Sequence, residues 1–336
     1  YLDGRIYFGD NFTKVRCLDA ATGEEIWQTQ LSTLQQTNML CSVAVYDGKV
    51  LTGYSSDIGS SEIACLDAET GAVAWRFRVV PESQFGGGSV WTSPAIDEEN
   101  QIVYNVTGSV KSYPPSGTLY AESILAHDLH SGELLWYYQA QARDAFDLDF
   151  SCHPMIFEAV SPGKRGARRP CVGAGNKSAF FAWDRYTGEL LWRTMLTPPT
   201  GLSWNSTAAA YNKIYVVSNN TERDPDTGQV TGRSESVTAA LQAYTGEIVW
   251  WRHNTSGSSS PVCVANGVFY QSLRDGSLEA YDAETGKPLW QSTMPSTSRG
   301  GIVIANGNLY VSNGEAGLPT EPKHRYFVYA YSIDGR

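Results

Sequence analysis

Asp67-Ala68-Glu69-Thr70-Gly71-Ala72-Val73-Ala74-Trp75 is one of six copies of a short pattern that recurs along this chain. The others are Asp19…Thr22-Gly23…Trp27, Asp128…Ser131-Gly132…Trp136, Asp184…Thr187-Gly188…Trp192, Gln242…Thr245-Gly246…Trp250 and Asp282…Thr285-Gly286…Trp290. Glycine takes the positive φ of a tight turn, and Asp and Thr side chains bond nearby backbone groups, so each copy predicts a hairpin corner. Alternating β-rich stretches such as Lys213-Ile214-Tyr215-Val216-Val217 precede the corners, and a short strand ending in Trp follows. A further strand lies upstream, as in Ser260-Pro261-Val262-Cys263-Val264, which brings each unit to about four strands.

Four-stranded units repeated radially form a β-propeller, in which a large Trp at a fixed place fills the wedge between blades. A solenoid is the competing reading. The motif tryptophans are 40 to 61 residues apart, so the loops differ in size. The expected fold is all-β: a single β-propeller domain over residues 1–336. Seven blades result when the partial unit from Gly301 onward is counted, and eight stay open if residues are missing at the ends.

Composition supports one large domain, since 336 residues with 42% hydrophobic content supply ample core area. The net charge of −10 speaks against nucleic-acid binding, and no apolar run reaches the length of a membrane span. Sequons at Asn11, Asn105, Asn176, Asn219 and Asn254 predict glycosylation, hence a secretory or extracellular location. Asn205 heads a sixth. Cys17 and Cys65 occupy equivalent positions in neighbouring units and read as buried thiols; no disulfide is assigned. The protein is expected to be a monomer whose partner is a small, unsaturated, largely apolar substrate.

If the Thr-Gly corners lie at one end of the blades, the long loops lie together at the other, and innermost strands start there around a central funnel. Met39, Trp91, Phe150, Trp204 and Asn205 fall in this ring as substrate-binding candidates. Aromatic walls suit a small unsaturated molecule, and inter-blade packing is the alternative use of these rings. Asp147, Asp149, His153 and Arg299 are the catalytic candidates: a histidine titrates near neutrality, a carboxylate orients it or acts as base, and Arg holds a planar oxyanion. Turn capping and core packing are the structural alternatives. Lys111 and Tyr113, with Tyr120, sit on a Pro-rich loop placed to act as a lid. There is no dinucleotide or phosphate-loop glycine motif and no Cys-x-x-Cys pair, and no metal ligands are assigned.

The repeated Asp-x-x-Thr-Gly-x-x-x-Trp pattern resembles the tryptophan-docking motif of quinoprotein dehydrogenase propellers over essentially the whole chain. Gly86-Gly87-Gly88-Ser89-Val90-Trp91-Thr92-Ser93-Pro94, Phe146-Asp147-Leu148-Asp149-Phe150 and Val172-Gly173-Ala174-Gly175-Asn176-Lys177-Ser178 are similar to the polyvinyl-alcohol-dehydrogenase-like branch. That resemblance implies pyrroloquinoline quinone and usually calcium in the funnel. The vicinal Cys-Cys pair of many such enzymes is absent, and the ring shows no evident carboxylate and amide set for calcium beyond Asp149, Asn205 and Glu315.

A chain with this scaffold and without those marks looks like the fungal hetero-Diels–Alderases of tropolone-sesquiterpenoid biosynthesis. That resemblance implies a cofactor-free cyclase of secondary metabolism. His153 with Asp149 or Asp147 would promote water loss to a quinone methide, Arg299 would bind its oxygen, and the aromatic ring would orient the alkene. A quinone- and calcium-dependent alcohol dehydrogenase is the enzyme alternative, and a secreted propeller binding glycans or proteins is the non-enzyme one.

Overall fold

The computed structural model describes every residue except 82–85, 111–116, 145–146, 164–165, 199–205, 224–229, 296–297, 299, 314–326 and 333–336. Among the described residues all regular structure is strand, arranged as seven antiparallel sheets in chain order. The third is typical: Ala95–Asp97, Ile102–Val106, Ser123–Asp128 and Leu134–Gln139 pair each with the next. The fourth, fifth and sixth repeat that order. In the second sheet, Lys49–Ser56 pairs with both Thr37–Asn38 and Ala44–Tyr46. The first sheet, Arg5–Gly9, Lys14–Asp19 and Glu25–Gln30, and the seventh, Ile302–Ala305, Asn308–Ser312 and Val328–Ser332, show three strands each.

The chain divides into two compact units, Tyr1–Ile156 with Arg185–Glu189, and Phe157–Asp184 with Leu190–Arg336. In the first, the first and second sheets enclose Tyr7, Val15, Cys17, Trp27, Val50 and Leu66, and the second and third enclose Leu51, Ile63, Trp75, Val103 and Leu125. In the second, the fifth and sixth sheets enclose Tyr215, Trp250 and Phe269, and the sixth and seventh enclose Leu278, Leu309 and Val311.

The corners form as the side chains dictate. Asp67 Oδ1 accepts hydrogen bonds from Thr70 N at 2.9 Å, Thr70 Oγ1 at 2.8 Å and Glu69 N at 3.1 Å, and Gly71 follows at φ 74°. The motif has a second function that turn chemistry does not contain. Trp27 Nε1 donates to Ala68 O at 3.1 Å in the next sheet, and a Cβ on Gly71 would lie 2.5 Å from the Trp27 ring. The same dock joins Trp75 to Leu129 O and Gly132, Trp136 to Arg185 O and Gly188, Trp192 to Ala243 O and Gly246, and Trp250 to Ala283 O and Gly286. Gly71, Gly132, Gly188, Gly246 and Gly286 therefore each supply both a positive φ and the floor on which the preceding sheet's indole rests. These five tryptophans are 8–9% exposed, whereas Trp290 is 41% exposed.

Cys17 and Cys65 are buried free thiols, and burial pushes Cys65 up to about 12. The sequons read differently from their triplets. Asn105, Asn176, Asn219 and Asn254 are all buried, at most 8% exposed, so a glycan on any of them has no room in the folded chain. Asn219 Nδ2 is moreover committed to Ser258 O at 2.8 Å, and Asn254 Nδ2 to Thr238 Oγ1 at 2.8 Å. Asn11 alone of the five is exposed, which corrects the glycosylation expected at the other four.

Candidate active site

The residues with chemical potential gather where the third sheet's long loops meet. Gly86-Gly87-Gly88 starts the assembly, because backbone there runs closer to its neighbours than a side chain permits: a Cβ on Gly86 would lie 1.9 Å from Asp57 O. Gly87 N donates to Gly59 O at 3.2 Å and Ser61 N to Gly87 O at 3.1 Å, while Gly88 N donates to Ser109 O at 2.8 Å. The glycine run thus ties the loop ends of the second and third sheets together and fixes the Gly108-Ser109 peptide.

That peptide holds an acid. Ser109 N donates to Asp149 Oδ1 at 2.5 Å, and a Cβ on Gly108 would come within 2.5 Å of the same oxygen. Asp144 Oδ2 accepts from Leu148 N. Glu122 is positioned by its backbone, with N donating to Gly108 O at 3.2 Å and O accepting from Ala140 N at 2.9 Å, at φ 51°. As a result Glu122, Asp144 and Asp149 place carboxylate oxygens all within 4.8 Å of one another. Glu122 and Asp149 are buried, 1% and 8% exposed. Carboxylates removed from water at this spacing repel one another unless a cation or protons offset them.

The sequence singled out Asp149 and missed Glu122 and Asp144. The available signal was the recurrence of acids in Asp144-x-x-Asp147-x-Asp149 and an acid, Glu122, just before the strand Ser123–Asp128. The expectation that the chain lacks an evident carboxylate set is corrected: three acidic oxygens converge, and they fit a hard cation, which takes about six to eight oxygens, as part of its ligand set.

Asp147 is exposed at φ 60°, next to Leu148, whose amide Asp144 accepts. His153 is half-buried, and burial lowers its pKa from the ordinary value, so the ring is neutral at pH 7. Trp91 is half-buried. Two substrate-binding candidates are corrected. Met39 is 4% exposed and belongs to the apolar core, its sulfur accepting from Thr52 Oγ1 at 3.7 Å and lying 1.8 Å from where a Gly9 Cβ would be. Phe150 is fully buried and presents no surface to a ligand. Lys111, Tyr113, Trp204, Asn205, Glu315 and Arg299 lie outside the described residues.

A second residue that sequence reasoning passed over is Lys177, at the hairpin between Arg168–Gly175 and Ala179–Asp184 in the other unit. It is 1% exposed, an unusual state for an ammonium group. Asn176 Oδ1 closes the turn around it by accepting from Ser178 N and Ala179 N, and Lys177 O accepts from Ser218 Oγ at 3.4 Å.

Residues 33–198 match the family described as glucose/ethanol/alcohol dehydrogenase, beta-propeller domain, and residues 233–320 match outer membrane protein assembly factor BamB. Quinohemoprotein alcohol dehydrogenase ADH-IIG of Pseudomonas putida is 29% identical over 223 residues, covering 56% of this chain and 31% of that protein. The quinohemoprotein alcohol dehydrogenase of Comamonas testosteroni is 29% identical over 246 residues, covering 62% of this chain and 34% of its own. The crystal structure of the Comamonas enzyme aligns over 92% of this chain and 61% of that chain with a TM-score of 0.80 at 21% identity. A europium-containing methanol dehydrogenase aligns over 93% of this chain and 71% of its own, with a TM-score of 0.77 at 18% identity. These structural likenesses carry the fold. The chain spans about a third of the length of the two curated relatives.

Proposed function

Because the chain belongs to the PQQ-dependent-dehydrogenase-like β-propeller superfamily, we propose that it is an oxidoreductase acting on an alcohol with pyrroloquinoline quinone and a bound hard cation. The observation that carries this reading is the convergence of Glu122, Asp144 and Asp149. These three carboxylates would hold the cation, which when bound supplies Lewis-acid polarisation of a neighbouring oxygen. The relatives' names speak of quinone-linked alcohol oxidation, and one structural neighbour is described as containing europium, a cation that also favours carboxylate oxygen.

The chain's own residues then divide the work. Ser109 N and Leu148 N hold Asp149 and Asp144 in place, so the acids are oriented before a cation arrives. Asp147, exposed on the same segment, is the carboxylate free of burial that can take the proton of a substrate hydroxyl. Trp91 offers a flat wall against which a planar ring stacks.

The test is metal analysis of the purified protein, followed by dye-linked alcohol oxidation after reconstitution with quinone and calcium. Cation retention with quinone-dependent turnover supports the proposal, and a chain that takes up neither quinone nor cation overturns it.

A second reading is favoured by the fact that Asp144 and Asp149 each already accept a backbone amide, so the chain satisfies part of this cluster itself. In it the scaffold works without a cofactor as a cyclase. His153, neutral through burial, assists water loss from a hydroxymethyl tropolone, and a sesquiterpene alkene adds to the quinone methide. Turnover of such a substrate pair by chelator-treated protein separates the readings. A secretory location now rests on Asn11 among the described sequons.

A further inference from the structure

The second and third sheets share an apolar cluster that includes Leu51, Ile63, Trp75, Val90, Val103 and Leu125. Four side chains break the pattern: His127, Asn105, Thr92 and Ser55, which are 0%, 1%, 8% and 8% exposed. Neither ring nitrogen of His127, neither polar atom of the Asn105 amide, and neither hydroxyl of Thr92 and Ser55 has a hydrogen-bond partner among the described residues.

Strand register puts them on one seam. Val103 pairs with His127 and Asn105 with Leu125, so these four side chains share a face, and Val103 and Leu125 show that this face packs on the second sheet. Asn105 and His127 are diagonal neighbours, a relation that separates residues by about 7–8 Å and their Cβ atoms by somewhat less. Thr92 lies two residues beyond Val90 of the same cluster. Ser55 lies two beyond Gly53, whose Cβ would sit 2.3 Å from Val90 Cγ1. Alternation along the strand Lys49–Ser56 therefore continues the seam through Ser55, and Thr92 follows Val90 in the adjoining loop.

A buried polar atom without a partner costs about 1–3 kcal/mol, and this seam holds several whose hydrogen bonds the described residues do not supply. The side chains that face the seam are uncharged: an amide, two hydroxyls and an imidazole that burial keeps neutral, with pKa lowered to about 4. On the second sheet the inward residues Trp75 and Phe77 flank the ring at 5.9 Å and 4.5 Å, while Arg76 and Arg78 alternate outward and are exposed. The occupant must then be small and uncharged and must both donate and accept. Water meets that description, since it donates and accepts and bonds two to four polar partners.

We propose that this seam is a closed binding site for ordered water, with the Asn105 amide and the His127 ring as its fixed partners. The site is independent of the oxidoreductase reading and stands or falls without it.

A crystal structure of the full chain at a resolution that shows water tests it. Density for water bonded to the Asn105 amide and bridging toward His127 or Thr92 is the expected result; a dry seam, or an Asn105 amide bonded directly to protein groups, overturns the proposal. Asn105→Leu is the companion variant. It should lose that density, keep the Trp75–His127 stacking, and change the folding constant by less than about tenfold, because the polar group and its bound partner leave together. Loss much greater than that would show that Asn105 bonds to the protein itself. If the variant does not fold, the wild-type density decides alone.

Discussion

Trp75 rests on Gly132: its indole nitrogen donates to Leu129 O at 2.9 Å, and a Cβ added to Gly132 would penetrate to 2.5 Å from the ring. Gly132 stands at φ 73°, so its identity is demanded twice. Gly23 has nearly the same backbone, φ 75°, yet nothing lies within 4 Å of its would-be Cβ. Gly23→Ala should therefore cost only the left-handed backbone term, about 1–2 kcal/mol. Gly132→Ala adds overpacking of about 1–3 kcal/mol. Chemical denaturation of both variants checks the difference; equal losses would remove the docking role of the glycine.

The tryptophans themselves should rank by burial. Trp75→Ala removes a 9%-exposed ring and a buried hydrogen bond, for a loss of about 3–5 kcal/mol. Trp290→Ala removes a ring that is 41% exposed, with an edge contact to Tyr331 at 5.3 Å, and should cost clearly less. Thermal or chemical unfolding of the two variants in parallel gives the comparison.

How far the sequence could be read follows from the range of the forces involved. The corners were legible because Asp67, Thr70 and Gly71 bond within five residues of chain. That the tryptophans fill the wedge between neighbouring sheets was legible from the repeat, but the seat of Trp75 on Gly132 was not, because a single copy of the motif does not reveal its partner. Met39 was placed by strand position alone; the space above Gly9 draws it into the core instead. The acidic trio was hidden for a similar reason. Glu122 and Asp149 meet only because Gly88 N bonds Ser109 O and Ser109 N bonds Asp149, contacts that span tens of residues. The sequon triplets carry no information about burial, and Asn105 and Asn219 lie in strand interiors.

Acid should weaken the fold through His127. Burial lowers this imidazole from 6.5 to about 4, so the unfolded chain binds a proton between those values and the folded chain does not. Its contribution is complete above pH 6.5 and is lost as pH falls toward 4, on the order of 3 kcal/mol in total. Denaturation midpoints measured across that window in wild type and His127→Leu should diverge, the variant losing less stability on acidification. Parallel curves would contradict the assignment.

Gly108→Ala should act on the site more than on the fold. The new methyl group meets Asp149 Oδ1 at 2.5 Å and must displace it from Ser109 N, while the backbone at this position needs no left-handed φ. The expected outcome is cation affinity reduced by roughly 10–100-fold, the usual effect of disturbing a ligand's support, with a smaller change in unfolding midpoint. Affinity equal to wild type would show that Asp149 is not a ligand.

The most direct measurement is a calorimetric titration of calcium into the metal-stripped full-length chain, alongside Glu122→Gln and Asp149→Asn. If Glu122, Asp144 and Asp149 hold a cation, wild type binds about one ion per chain and each variant binds it at least roughly tenfold more weakly. Wild type that binds no cation, or variants that bind as tightly as wild type, would contradict the account.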